Sequence, residues 1–169
     1  MTDALRRPRL PDPDQILSGR QWEWQVLADP PTVPRMRREL VAYARSLGAS
    51  DATCDAIALA VSEALTNAVR HAYVGQEPGP IIVEARLEGH NQLLLRVSDE
   101  GRGPTRQAES PGLGLGLDVM ARTADDFSIS NRQDARGTVV TLRFSLSDHD
   151  PTSQEPAAPR NVDGTLRDS

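Results

Sequence analysis

Lysine is absent from this chain: all 19 basic residues are arginine. Arginine stays protonated, so no side-chain amine here can form a Schiff base or act as a general base. A Walker A loop needs its lysine on the β- and γ-phosphates, and a eukaryotic-type kinase needs a strand lysine. Both classes of nucleotide binder are excluded. Cysteine occurs once, at Cys54, which excludes an internal disulfide and a cysteine-rich zinc site. Aromatic residues make up 4% of the chain, so the core must come mostly from Leu, Val, Ile and Ala. No apolar run approaches the roughly 20 residues of a membrane span. Residues 1–10 carry arginines with no apolar stretch behind them, so no secretory signal is expected. The expected location is the cytoplasm, with no membrane partner. Net charge is −5 without a basic block, which argues against direct binding of nucleic acid.

The 169 residues suffice for one domain with a real core. Residues 1–19 hold Pro8, Pro11 and Pro13 among charges and read as a flexible tail. Residues 147–169 are rich in Asp, Pro, Ser and Ala without apolar periodicity and read as a disordered tail. The folded domain is expected over 20–146. Trp22, Trp24 and Val26 alternate with polar residues, which predicts a first strand. Val33, Met36, Leu40, Tyr43 and Leu47 recur at helical spacing before Gly48. Ser50 or Asp51 can cap a second helix with an apolar face from Cys54 to Ala72. Residues 81–87 and 92–98 predict a hairpin, 115–123 a third helix, and 127–130 and 138–144 two further strands. The order β-α-α-β-β-α-β-β predicts a two-layer α/β sandwich, a mixed sheet with helices on one face.

Three features carry chemistry. Glu63, Asn67 and His71 stand four residues apart on the second helix and form one slanted stripe. Asn67 offers a neutral oxygen to a nucleotide-bound Mg²⁺, which takes few protein ligands. Glu63 could orient or deprotonate a nucleophile. Taken alone, the stripe also reads as a solvated polar face with a capping histidine. Asp99-Glu100-Gly101-Arg102-Gly103 follows a predicted strand. A carboxylate there can accept a hydrogen bond from an adenine amino group, and glycines let the backbone approach a base closely. A plain turn would show the same residues. Gly112, Gly114 and Gly116 alternate with leucines and open into the third helix. Backbone amides at such a helix start make an anion site, and a packing requirement is the alternative.

In this order and spacing the three features resemble the N, G1 and G2 boxes of the GHKL superfamily. These Bergerat-fold ATPases include gyrase, histidine kinases and MutL. The stretch from Val61 to Tyr73, with its Glu63-Ala64-Leu65-Thr66-Asn67-Ala68-Val69-Arg70-His71, is similar to the anti-sigma factor serine/threonine kinases of the RsbW and SpoIIAB type. The resemblance runs from about Trp22 to Phe144. It implies that Glu63 is the catalytic base and that Asn67 binds Mg²⁺. It implies that Asp99 reads adenine, with Gly101, Gly103 and Thr138 shaping that pocket. It places Gly112, Gly114 and Gly116 under the phosphates of ATP. It further implies a sigma factor and an anti-anti-sigma, STAS-type protein as partners, the second phosphorylated on serine, and a homodimer that uses the Trp22/Trp24 strand as a sheet edge. The segment from Pro104 to Pro111, the lid, is short, with Thr105 and Arg106 as phosphate contacts. A short lid encloses the γ-phosphate poorly. The competing expectation is therefore a non-enzymatic ATP-binding module that switches protein partners. A sensor histidine kinase fragment fits less well, because no helix pair with a phospho-accepting histidine precedes the site.

Overall fold

The computed structural model describes residues 21–103, 113–132 and 136–147. The tails expected at 1–19 and 147–169 lie outside them, Ser147 excepted, as does the lid with Arg106 and Gly112. The elements run β1 (Gln21–Leu27), α1 (Thr32–Ser46), α2 (Asp51–Asn67), β2 (Pro80–Glu88), β3 (Gln92–Asp99), α3 (Leu113–Thr123), β4 (Asp126–Asn131) and β5 (Thr138–Ser145). A π-helical turn, Ala68–Ala72, continues α2.

Local chemistry sets the helix boundaries. Asp29 Oδ1 accepts the Thr32 amide ahead of α1, and Pro34 sits in the first turn, where its missing N–H costs nothing. The chain leaves α1 through Gly48 at φ +89°. Ser50 caps α2, its hydroxyl accepting the Thr53 amide at 3.1 Å. Ser50→Ala removes that acceptor. It should lower the unfolding free energy by about 1 kcal/mol, read as an earlier urea midpoint at unchanged slope.

The five strands lie in the order β1-β2-β3-β5-β4, and every neighbouring pair is antiparallel. The α/β sandwich holds, but the expected mixed sheet does not. The reason is in the connections. Between β1 and β2 the chain makes an up-and-down pair of helices, so β2 starts at the end where β1 stopped. One helix joins β3 to β4, which makes those two strands parallel, but the hairpin return β5 inserts between them. Met36, Leu40, Ile57, Leu65 and Met120 from the helices share one core with Val83, Leu93, Leu95, Val97 and Leu142 from a single face of the sheet. That is the helices-on-one-face layering. The opposite face carries charge: Glu84 on β2 pairs with Arg96 on β3, and Glu88 on β2 pairs with Arg143 on β5 and with Arg86 on its own strand.

β1 is an edge strand, as expected, but its tryptophans are not on display. Trp24 is buried and Trp22 half-buried against the core, while Gln21, Glu23, Gln25 and Leu27 face solvent. The inward register follows from pairing Trp22, Trp24 and Val26 with Ala85, Val83 and Ile81, the core-facing residues of β2.

Candidate functional site

The first half of the site is a helix-on-helix contact. Glu63 and Asn67, one turn apart on α2, are both half-buried. Opposite them lies the opening of α3, where Gly116 is buried. A Cβ on Gly116 would sit 2.8 Å from Glu63 Oε2 and 3.6 Å from Asn67 Nδ2. A side chain there would displace the Glu63 carboxylate from its place beside Asn67, so this glycine leaves room for that pair. The contact sets an acid and an amide against the first turns of α3, whose leading amides have no intrahelical partners. A negative ligand at that helix start would lie beside the Asn67 oxygen and the Glu63 carboxylate. Gly114 is in the first turn of α3, which begins at Leu113, two residues before the expected Leu115.

Among the described residues no cluster of three or more His, Cys, Asp and Glu could hold a metal ion. The oxygens of Asn67 and Glu63 suit Mg²⁺ only as a partial shell. A metal here would draw its other ligands from phosphates and water, as Mg²⁺ on a nucleotide does. The residues present therefore fit a metal that arrives with its nucleotide.

The second half gathers at the end of β3. Asp99 is 5% exposed. Its Oδ1 accepts the Gly101 amide at 2.9 Å and the Thr138 amide at 3.3 Å. Burial pushes its pKa above the ordinary carboxylate range, against the pull of those amides, the Thr138 hydroxyl and the Arg132 charge. A carboxylate that is buried at such cost is a candidate for ligand recognition. Two glycines make the surrounding approach. A Cβ on Gly101 would lie 2.1 Å from the Ala72 carbonyl oxygen, and one on Gly137 1.9 Å from the Asp99 carbonyl oxygen. Gly103, at φ +80°, stands next to Gly137 and Asn131.

The two halves are joined by the end of the α2 helix. The sequence stripe Glu63-Asn67-His71 does not continue as one α-helix. The π-helical turn starts directly after Asn67, and its extra residue turns the following side chains by about 100° relative to an α-helix. His71, inside that turn, is exposed. The same turn delivers the Ala72 carbonyl to the Arg102 amide at 3.0 Å, tying the helix to the turn after β3.

Two participants were not singled out in the sequence. Tyr73 Oη donates to the Pro80 carbonyl at 2.6 Å and accepts the Glu100 amide at 2.9 Å. Burial raises its pKa, which keeps the hydroxyl protonated and able to donate. Glu100 pairs with Arg132 at 2.9 Å, and the Arg132 amide donates to Gly137. The phenol directly behind His71-Ala72 was the available signal for Tyr73. Nothing local in the sequence marks Arg132, because its partner is 32 residues away.

The match to known proteins follows this geometry. A family model described as a histidine kinase-like ATPase domain covers residues 26–144. The chain belongs to the histidine kinase-like ATPase family. Within it the chain stands with the serine/threonine protein kinases of the RsbW type. It is 37% identical over 120 residues to the serine-protein kinase RsbW of Listeria monocytogenes (serovar 1/2a), across 62% of this chain and 76% of that protein. It is 31% identical over 98 residues to the anti-sigma F factor of Heyndrickxia coagulans, across 52% of this chain and 66% of that one. Among solved structures, the RsbU and RsbW domains of a Mycobacterium tuberculosis protein superpose with a TM-score of 0.60 at 25% identity. That likeness covers 75% of this chain and 32% of the larger one, so the chain spans about a third of it. Among the described residues no helix is long and apolar enough to cross a membrane.

Proposed function

We propose that this chain binds ATP with Mg²⁺, holds a sigma factor, and phosphorylates an anti-anti-sigma antagonist on serine. The observation that carries the reading is the seating of Gly116 against Glu63 and Asn67, which sets a carboxylate and an amide at a helix start. Residues 20–146 form the catalytic domain in this reading. Asp99 accepts the adenine amino group, Thr138 closes that side, and Gly101 and Gly103 leave room for the base. Gly112, Gly114 and Gly116 serve the phosphates, with Arg106 as a further phosphate contact. Asn67 holds Mg²⁺, which neutralises charge on the β- and γ-phosphates. Glu63 takes the proton of the incoming serine hydroxyl. The serine oxygen bonds to the γ-phosphorus as the bond to the bridging oxygen breaks, leaving ADP and phosphoserine.

In this reading the site gives its output through a protein partner, in the cytoplasm, and a homodimer along the β1 edge completes the proposal. The RsbW and anti-sigma F names of its relatives support that class of partner. Partner hold and nucleotide state must be linked reciprocally. The test is retention of candidate sigma factors and STAS-type proteins on the immobilised chain with ATP, ADP or no nucleotide, followed by phosphoserine mapping. Nucleotide-dependent retention with a modified serine is the expected result. Retention that depends on nucleotide while every partner serine stays unmodified would make the chain a non-enzymatic switch. No retained partner in any state would overturn both.

A further inference from the structure

Tyr73 stands where four segments meet. Its ring lies over Gly79, where a Cβ would come 2.1 Å from the ring edge. Its hydroxyl reaches the start of β2 through the Pro80 carbonyl and the end of β3 through the Glu100 amide. Gly79 in turn accepts the Ala28 amide just beyond β1 at 2.9 Å. The residue before it, Ala72, accepts from Arg102 and packs without clearance on Gly101. The turn that follows Asp99 is thus held from one side by consecutive residues of the π-helical turn and its end.

We propose that Tyr73 is a positioning residue for base choice: its hydroxyl fixes the Glu100 amide, and with it the height at which the Asp99 carboxylate meets a purine. The inference rests on the reading of Asp99 as the adenine contact. The π-helical turn has a purpose in this account. Its added residue rotates Tyr73 inward, toward the end of β3, in a way an uninterrupted helix would not. Without the hydroxyl, the half-buried Pro80 carbonyl and the amide of exposed Glu100 each lose a partner, and the turn is held mainly by Ala72 and Thr138.

The variant Tyr73→Phe keeps the ring over Gly79 and removes both hydrogen bonds. Two quantities are read on the full chain. In the nucleotide-free protein, hydrogen exchange at the Glu100 amide should quicken by about tenfold, the scale of one hydrogen bond. By calorimetry, ATP affinity should fall by about tenfold with GTP affinity changing less, so that the preference for ATP shrinks. Gly79→Ala crowds the ring but keeps the hydroxyl, and it should shrink the preference in the same direction. Ile57→Val, a core change far from this turn in chemistry, lowers stability and should leave the preference intact. Faster Glu100 exchange with an unchanged ATP preference in Tyr73→Phe would reduce Tyr73 to a structural role and overturn the proposal. A shrunken preference in Ile57→Val as well would do the same. A wild type with no preference for ATP over GTP overturns the reading of Asp99 itself, a separate result seen before any variant is made.

Discussion

Glu63→Gln is expected to bind Mg·ATP almost as the parent does and to transfer its phosphoryl group about 10²–10⁴-fold more slowly. The side chain is half-buried, and no hydrogen bond or ion pair ties it to another described side chain. Its lone pairs are therefore available to a serine hydroxyl. Glutamine has nearly the same volume, so the close seating of Gly116 against Glu63 Oε2 survives the exchange. What is lost is a group that can take a proton. Phosphoryl transfer depends mainly on positioning and charge neutralisation, which is why a residue of activity remains. Asn67→Ala separates from it at the binding step. Removing the amide oxygen should weaken Mg·ATP binding itself, visible as a shallower calorimetric titration in Mg²⁺ and little change without the metal. Equal transfer rates in Glu63→Gln and the parent would assign the base elsewhere. Equal Mg²⁺ dependence in Asn67→Ala and the parent would remove Asn67 from the metal.

The sequence carried the local parts of this site well, because each is a property of a few consecutive residues. Glu63 and Asn67 stand four apart on a helix whose period is plain, and Asp99 ends a strand whose alternation is plain. The glycines at 101 and 116 could be read as places of close approach, but not what they approach. Gly101 meets Ala72 and Gly116 meets Glu63, contacts between segments 29 and 53 residues apart by their numbering. Strand order was hidden for the same reason: β5 slips between β3 and β4, and nothing in Thr138–Ser145 announces its neighbours. The π-helical turn was hidden by composition. Ala68-Val69-Arg70-His71-Ala72 satisfies an α-helical pattern as well as a π one, and the choice is made by the fit of Ala72 and Tyr73 to the turn after β3.

Asp99→Asn should make the nucleotide-free protein more stable at neutral pH and a poorer binder of ATP. Burial raises the Asp99 pKa, so the folded protein holds that proton more tightly than the unfolded chain. The stability tied to such a group is fully present below the unfolded pKa and is lost as pH rises through the folded one. At neutral pH the buried charge is therefore a net cost. Asparagine carries no charge to bury. Its oxygen can still accept the Gly101 and Thr138 amides, and those two donors forbid the flipped orientation. The stability difference between variant and parent should be smallest at low pH, grow as pH rises through the raised pKa, and then level off. Urea denaturation across that range measures it. The pinned orientation also decides the binding result. With its oxygen held by the backbone, the variant presents its amide N–H to the place where the parent presents an acceptor. An adenine amino group then meets a donor, at a cost of about 1–3 kcal/mol, or roughly 5- to 150-fold in ATP affinity. A purine with a carbonyl in place of that amino group meets a suitable donor, so GTP should lose less or gain. A variant less stable than its parent at neutral pH, with ATP bound as tightly as before, would show that the buried carboxylate serves the fold alone.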